Sequence, residues 1–479
     1  MSSALLISTY ELGHQPFGLA SPAAWLKREG IETRLVDLAK ERLDEPAIGA
    51  AGFVAFHLPM HTATRLAAPV IRKVRALNPG ARICAFGLYA PLNAEWLRSI
   101  GVDDVLGGEF EEELTAIARA VLGPDLKVGP TYRSDTPDLK VGPTYRSPTA
   151  RSRALPRLHF LVPDRSGLPP LARYSTLTLA DGTRRTVGYT EASRGCRHLC
   201  RHCPVVPIYN GQFRVVQPDV VLADIGAQVA AGAQHITFGD PDFFNGPTHA
   251  MKIVDALHQA HPGVSYDVTI KVEHLLRHRD LLTRLAASGC LFVTSAVESI
   301  DDRVLALLDK GHTRRDFLEA AAMCESAGVV LVPTFVAFHP WTTLEGYCEL
   351  LDLIESLGLV NHVAPIQLAI RLLIPEGSRL LQLDEVRRLA GSFDARTLTY
   401  RWSHADARVD ELQRDVAAIV GSRLVSNRRP LFDEISQLAH DRGGLPLPPR
   451  AAGPSTAVPS LDEPWYCCAE PNPEQLTLV

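Results

Sequence analysis

Short apolar runs alternate with segments of helical periodicity along this chain, and they do so in two separate stretches. In the first, residues 4–8 are apolar, and Pro16-Phe17-Gly18-Leu19 leads into a helical pattern over 21–28 with Pro22 just inside its start. Proline suits that position because the first helical N–H has no intrahelical partner to lose. Gly30 ends the pattern. Residues 33–38, 53–56 and 82–87 then read as strands, with a helix over about 62–77 before the last. Strand and helix at such short spacing predict a doubly wound parallel sheet. In the second stretch, from Tyr189 to about Arg371, strands are expected at 190–193, 235–238, 266–270, 291–297, 329–335 and 363–368, with helical segments between them. Six β/α units over roughly 190 residues fall short of a closed eight-unit barrel, which takes about 250. A partial barrel is therefore expected, with its chemistry at the carboxyl ends of the strands. Beyond Arg379 the pattern is helical around 382–391, 407–421 and 429–440, and 443–459 is rich in proline, glycine and small residues.

The chain accordingly divides into an α/β domain at 1–122, a linker at 123–188, a partial β/α barrel at 189–378, a mostly helical region at 379–442 and a tail at 443–479. Within the linker, residues 124–134 recur residue for residue at 137–147. Two copies are too few for a repeat array, and a slippage duplication in a proline-rich connection carries no chemistry. A small hairpin is expected around Ala180-Asp181-Gly182-Thr183.

Composition narrows the class without fixing it. The chain has 479 residues, 46% hydrophobic and 22% charged, with a formal net charge of −5. No long basic run or membrane-length apolar stretch occurs, so neither nucleic acid nor membrane is expected as a partner. The first eight residues lack a charged leader and read as a first strand. Nine cysteines, an odd number, do not suit a closed disulfide framework. Cys84, Cys290, Cys324 and Cys348 lie in apolar segments and read as buried thiols, which suits a reducing cytoplasmic setting.

The chemistry concentrates at Cys196-x3-Cys200-x2-Cys203, directly after the first strand of the second stretch. Three thiolates on one short loop can hold three irons of a cubane cluster and leave the fourth iron open to a substrate. The competing reading is a zinc knuckle completed by His198 or His202, although such knuckles usually pair two short two-ligand units. With this spacing the chain resembles the radical S-adenosylmethionine (SAM) superfamily, whose fold is a partial barrel of six units. That resemblance implies a 4Fe-4S cluster, SAM held by the open iron, reductive cleavage to a carbon radical, and an electron donor of ferredoxin or flavodoxin type. It also marks cofactor-binding candidates. Gly239-Asp240, after the second strand, resembles the motif that holds the methionine amino group. Ser295 and Glu298, at the end of the fourth strand, resemble contacts to the SAM ribose and carboxylate. Arg371, after the sixth, begins a segment through Ser378 that resembles the proline–glycine turn of related enzymes. Lys271, Glu273 and His339 share the expected mouth. For Gly239-Asp240 a strand-ending turn, and for Ser299 with Asp301 and Asp302 a helix cap, remain equally open readings.

The first stretch resembles the cobalamin-binding domain of one branch of that superfamily, in part through residues 16–19 and 107–111. The D-x-H-x-x-G loop of many such domains is absent. His57 and His61 follow the third strand, and members of the branch can bind cobalamin without a histidine ligand. The tail carries Trp465-Tyr466-Cys467-Cys468-Ala469-Glu470-Pro471. Vicinal thiols can ligate a soft atom, cycle in redox or deliver a thiol to a radical site. This tail resembles the CUAEP/CCAEP-tail radical SAM (seleno)protein family, which implies that Cys467 and Cys468 take part in turnover. A related tail family includes an enzyme that joins the aminocarboxypropyl group of SAM to arsenite, so a thiophilic or other small-molecule substrate is expected. The alternatives are a cobalamin-dependent radical SAM methyltransferase and a non-catalytic metal or redox sensor.

Overall fold

The computed structural model describes residues 3–123, 158–421, 428–449 and 458–462. The duplication at 124–147 and the Cys467-Cys468 pair lie outside the described residues.

The first sheet is parallel throughout, in the order β2-β1-β3-β4-β5: β1 Ser3–Ser8, β2 Thr33–Asp37, β3 Ala51–His57, β4 Arg82–Phe86 and β5 Asp104–Leu106. This is the predicted doubly wound arrangement, extended by a three-residue β5 too short to signal itself. Its strands are buried on both faces because helices cover both. The helix His61–Leu77, for example, buries Leu66, Val70, Ile71 and Val74 along one stripe, each such side chain contributing about 1.5–3 kcal/mol. The strand order reverses between β1 and β3, and ligands of such sheets bind beyond the carboxyl ends at that point.

The second sheet runs in the order β13-β12-β11-β10-β7-β6-β16. The hairpin forms as expected, from β6 Thr176–Thr178 and β7 Arg184–Thr190. Its second arm is also the first barrel strand: β7 pairs in parallel with β10, from His235 opposite Val187 to Phe238 opposite Thr190. The first strand thus lies upstream of the 190–193 expected. A two-stranded ribbon, β8 Ser193–Gly195 and β9 Phe213–Val215, carries the cysteine loop. Then come β10 His235–Phe238, β11 Ser265–Thr269, β12 Cys290–Glu298 and β13 Val330–Phe335, parallel in sequence. Residues 363–368 do not form the expected sixth strand. Pro365–Leu368 is a 3-10 turn, and the sixth position is marked by one parallel bridge from Phe338 to Arg371. Pro365 lacks the N–H a ladder needs, which favours the turn.

The helices Ala407–Gly421 and Arg428–Gly443 pack on the barrel, where Leu412, Val416 and Ile435 share a core with Leu351 and Ile354. A small ribbon, β14 Phe393–Asp394 with β15 Thr399–Tyr400, precedes them. The last described strand, β16 Ser460–Leu461, pairs antiparallel with β6. The two sheets are joined by apolar packing: Leu58, Leu66 and Tyr89 share a core with Val304, Val336, Ile370 and Trp402. This sets the carboxyl ends of the first sheet against the barrel mouth. Cys84, Cys290, Cys324 and Cys348 are buried free thiols, as expected. Among the described residues, no helix is long and apolar enough to cross a membrane.

Candidate functional site

Cys196, Cys200 and Cys203 lie on the loop after β8, none of them in a disulfide, and all three line one cavity of about 350 Å³. The loop is fixed from three sides. Cys196 N–H donates to Gln212 O on the returning arm (3.1 Å), and Arg201 N–H donates to Leu308 O (2.9 Å). Asn245 accepts from Arg197 N–H (3.1 Å) and donates to Gly195 O (3.3 Å). Burial pushes the Cys196 thiol up to about 11, so a thiolate here needs nearby positive charge. Lys271 lies close enough to Cys196 to oppose that rise, and the charge of Lys310 interacts with Cys200 and Cys203. Three soft donors on one loop facing one cavity, with lysines at hand, fit a cubane with one open iron. Cys196 Sγ, a His198 ring nitrogen and an Asp242 oxygen also lie within 4.8 Å of one another, a donor set that suits zinc as well.

Gly239 and Asp240 lie where the sequence placed them, at the carboxyl end of β10, and both line the cavity. A Cβ on Gly239 would sit 1.8 Å from Tyr189 Oη, so only glycine lets that ring pack there. Asp240 is turned to a structural task. It accepts from Ala192 N–H (2.9 Å) and Ser193 Oγ (2.5 Å), anchoring the base of the cysteine ribbon. Burial, opposed by these bonds, leaves its carboxyl at about 7.

Two residues on, Asp242 is the more connected carboxylate. It lies 2.7 Å from His274 Nδ1 and 3.3 Å from His198 Nε2, and His198 Nδ1 is 3.1 Å from Lys271 Nζ. Burial would raise Asp242, but His198 and His274 beside it outweigh that and hold it below the usual carboxylate range. Asp242 and His274 were not singled out in the sequence, although the Phe-rich turn after β10 is where such a residue would fall.

Glu298 ends β12 in the left-handed region, at φ +71°, a conformation that costs a non-glycine residue about 1–2 kcal/mol. It accepts from His202 Nε2 (3.0 Å) and Lys310 Nζ (3.3 Å) at the cavity wall. Burial would raise it, yet Lys310 and then His202 hold it at about 2. Lys310 and the role of His202 were missed, since neither is close to Glu298 in sequence.

Ser295 is not at the cavity. Side chains alternate along a strand, and on β12 the lining residues are Phe292, Thr294, Ala296 and Glu298. Ser295 is fully buried on the opposite face, where its Oγ has no hydrogen-bond partner among the described residues. Arg371 is also elsewhere. Its guanidinium donates to Asp410 Oδ1 and Trp402 O (both 2.7 Å) and stacks 3.6 Å from the Trp402 ring, clamping the helix Ala407–Gly421. Glu273, 3.4 Å from Lys271 Nζ, reaches the rim of the site. His339 is buried in its own turn beside Thr342, and burial lowers it to about 4.

A second cavity of about 190 Å³ adjoins the first between the end of β3 and the cysteine ribbon, lined by His57, Gly108, Phe110, Glu191 and Arg194 among others. His57 packs over Gly18, where a Cβ would come within 2.0 Å of its ring, and its Nδ1 is 2.6 Å from Glu11 Oε1. Arg194 is buried against Glu111 (2.6 Å), Glu191 (2.7 Å) and Glu109 (3.4 Å). It therefore ties the cysteine ribbon to the first sheet. His61 is buried beside Tyr89.

Residues 190–354 match the radical SAM superfamily, and this part of the chain is a radical SAM domain. That superfamily is one of enzymes that use a 4Fe-4S cluster and SAM. The chain is 28% identical over 290 residues to a tRNA-2-methylthio-N(6)-dimethylallyladenosine synthase of Chlorobium phaeobacteroides (strain BS1), covering 56% of this chain and 64% of that protein. It thus spans just under two thirds of that relative's length. Among solved structures it is similar to the cobalamin-dependent SAM radical enzyme OxsB with aqua-cobalamin bound, with TM-score 0.66, 14% identity and coverage of 92% of this chain and 72% of that one. A second is the radical SAM methyltransferase TsrM from Kitasatospora setae with cobalamin and a [4Fe-4S] cluster, with TM-score 0.56, 18% identity and coverage of 74% and 73%. At these identities the likeness is one of fold, and it takes in the α/β domain together with the partial barrel.

Proposed function

We infer that the protein reductively cleaves SAM at a 4Fe-4S cluster held by Cys196, Cys200 and Cys203, and turns the resulting radical on a small molecule in the cavity below. The observation that carries this is the convergence of three cysteine side chains on one cavity at the barrel mouth. When bound, the cluster supplies the single electron that breaks a carbon–sulfur bond of SAM. The chain's own residues do the rest. Lys271 and Lys310 favour the thiolate forms, and Asp240 and Asn245 fix the loop. Glu298, with Asp242 rather than Ser295 or Arg371, presents fixed charge to the cofactor. A cytoplasmic setting and a ferredoxin- or flavodoxin-type reductant complete this reading.

The tail joins the proposal as a CCAEP-type arm whose Cys467 and Cys468 serve substrate binding or turnover. Its support is directional. β16 runs antiparallel to β6, and β6 antiparallel to β7, so β16 points the same way as β7, whose end leads to the cysteine loop. Residues 459–461 line the same cavity. Cys467 lies five positions beyond Asp462, a separation that extended chain can span to about 17 Å at most.

The second reading is a cobalamin-dependent radical SAM methyltransferase. It is favoured by the crevice beyond the β1–β3 switch point opening onto the barrel cavity, with Pro59, Leu88, Tyr189, Val205, Gly239 and Pro241 lining both. His57 is engaged by Glu11, so the site suits cobalamin without a histidine ligand. Anaerobic purification tests both readings. A cluster whose electron paramagnetic resonance signal shifts on adding SAM supports the first, and retained corrinoid absorbance supports the second. Zinc in place of iron and sulfide contradicts both.

A further inference from the structure

Away from the cysteine loop, the cavity runs between β11, β12 and β13 toward β16. Its walls there are largely apolar, with Phe292, Val332 and Leu461. Three polar groups on the lining nevertheless have unmet needs among the described residues. Arg428 opens the helix Arg428–Gly443 and is anchored by a hydrogen bond from Nη1 to Asn361 O. It has no carboxylate partner there, and burial alone acts on its charge, lowering its pKa. Thr334 Oγ1 and His14 Nδ1 are buried without a hydrogen-bond partner. Leaving a guanidinium without a counter-charge, and two polar atoms without partners, against an apolar wall is unfavourable by several kcal/mol. A ligand that satisfies them removes that cost.

We propose that this part of the cavity binds a small molecule carrying an oxyanion, a carboxylate or phosphate, which pairs with Arg428 while neutral polar groups meet Thr334 and His14. Resting on the radical SAM reading, this names the substrate class of the same site. Guanidinium suits the task because its fork donates two parallel bonds to an oxyanion. Two carboxylates on the wall could compete for such a site: Glu298, which is already paired with Lys310 and His202, and Asp267. Its Oδ1 is already engaged by Thr237 Oγ1 (2.6 Å) and His235 Nε2 (2.9 Å). It lies two strands from β13, the strand that carries Thr334, about 10 Å away, and it is not among the groups that act on the charge of Arg428. The same separation lets a longer ligand place a donor at Asp267.

The test uses butyrate and its neutral isostere butyramide as probes of the full-length, cluster-loaded protein, with dissociation constants from ligand-observed NMR. The intact protein is expected to prefer butyrate about tenfold or more, as a charge-assisted pair requires. Arg428→Gln should abolish the preference, Arg428→Lys should keep part of it, and Thr334→Val should weaken butyrate binding several-fold. Equal binding of the two probes by the intact protein, or a preference unchanged in Arg428→Gln, would overturn the proposal. A carboxylate of this chain beyond Asp462 already paired with Arg428 would give that same equal binding, and so would overturn it too. SAM cleavage, measured on the same samples, separates the two claims. Cleavage without butyrate preference defeats the anion site alone, and preference without cleavage defeats the radical reading alone.

Discussion

Replacing Lys310 by methionine removes the main partner of a buried carboxylate, and the structure sets the size of the loss. Glu298 is held at about 2 against an ordinary 4.5. At about 1.4 kcal/mol per pH unit, that difference amounts to about 3 kcal/mol of favourable interaction beyond the burial cost. Lys310 is the larger contributor and His202 the smaller, so Lys310→Met should destabilise the surrounding structure by about 2–3 kcal/mol at neutral pH. Lys310→Arg, which keeps the charge, should lose much less. The carboxyl lies below its ordinary range, so its contribution is complete above about pH 4.5 and fades as pH falls toward 2. The deficit of Lys310→Met should therefore be constant from about pH 6 to 8 and shrink below about 4.5. A chain of this size is not a two-state unfolder, so the fitting assay is hydrogen exchange read at the amides of β12 and β13. A methionine variant with unchanged protection there, or a deficit equally large below pH 4, would refute the reasoning.

Serine at Cys196, Cys200 or Cys203 should each abolish cluster incorporation, read as loss of iron and acid-labile sulfide, while the fold survives by circular dichroism. Gly239→Ala puts a Cβ 1.8 Å from Tyr189 Oη and should cost about 1–3 kcal/mol by overpacking, seen as a lower thermal midpoint. Arg371→Gln should raise hydrogen exchange in the helix Ala407–Gly421 and leave SAM affinity unchanged, because the side chain holds Asp410 and Trp402 rather than the cavity. A SAM affinity reduced about tenfold by that change would return Arg371 to the cofactor site.

The sequence revealed those parts of the site that are local in the chain. The cysteine spacing, the glycine after β10 and the glutamate ending β12 each announce themselves within a few residues. The failures have physical reasons. Ser295 stands near a strand end, but the alternation of β12 puts Thr294, Ala296 and Glu298 on the cavity and Ser295 behind it. Arg371 stood at the expected mouth, but an aromatic ring and a carboxylate 31 and 39 residues further on claim it. Asp240 and Asp242 look equivalent in sequence. Only the fold shows that the first anchors Ser193 while the second gathers His198 and His274. Lys310 and Arg428 were invisible because each reaches the site from a loop or helix start with no motif around it. The hairpin's second arm becoming the first barrel strand was hidden too, since β7 is amphipathic enough to serve either part.

The central claim is tested most directly by reducing the anaerobically reconstituted protein with dithionite in the presence of SAM and following products by mass spectrometry. The account predicts SAM cleavage, to 5′-deoxyadenosine or to methylthioadenosine with a modified aminocarboxypropyl fragment, that vanishes when any of Cys196, Cys200 or Cys203 is replaced. Intact SAM in the presence of a fully loaded, reduced cluster would contradict it.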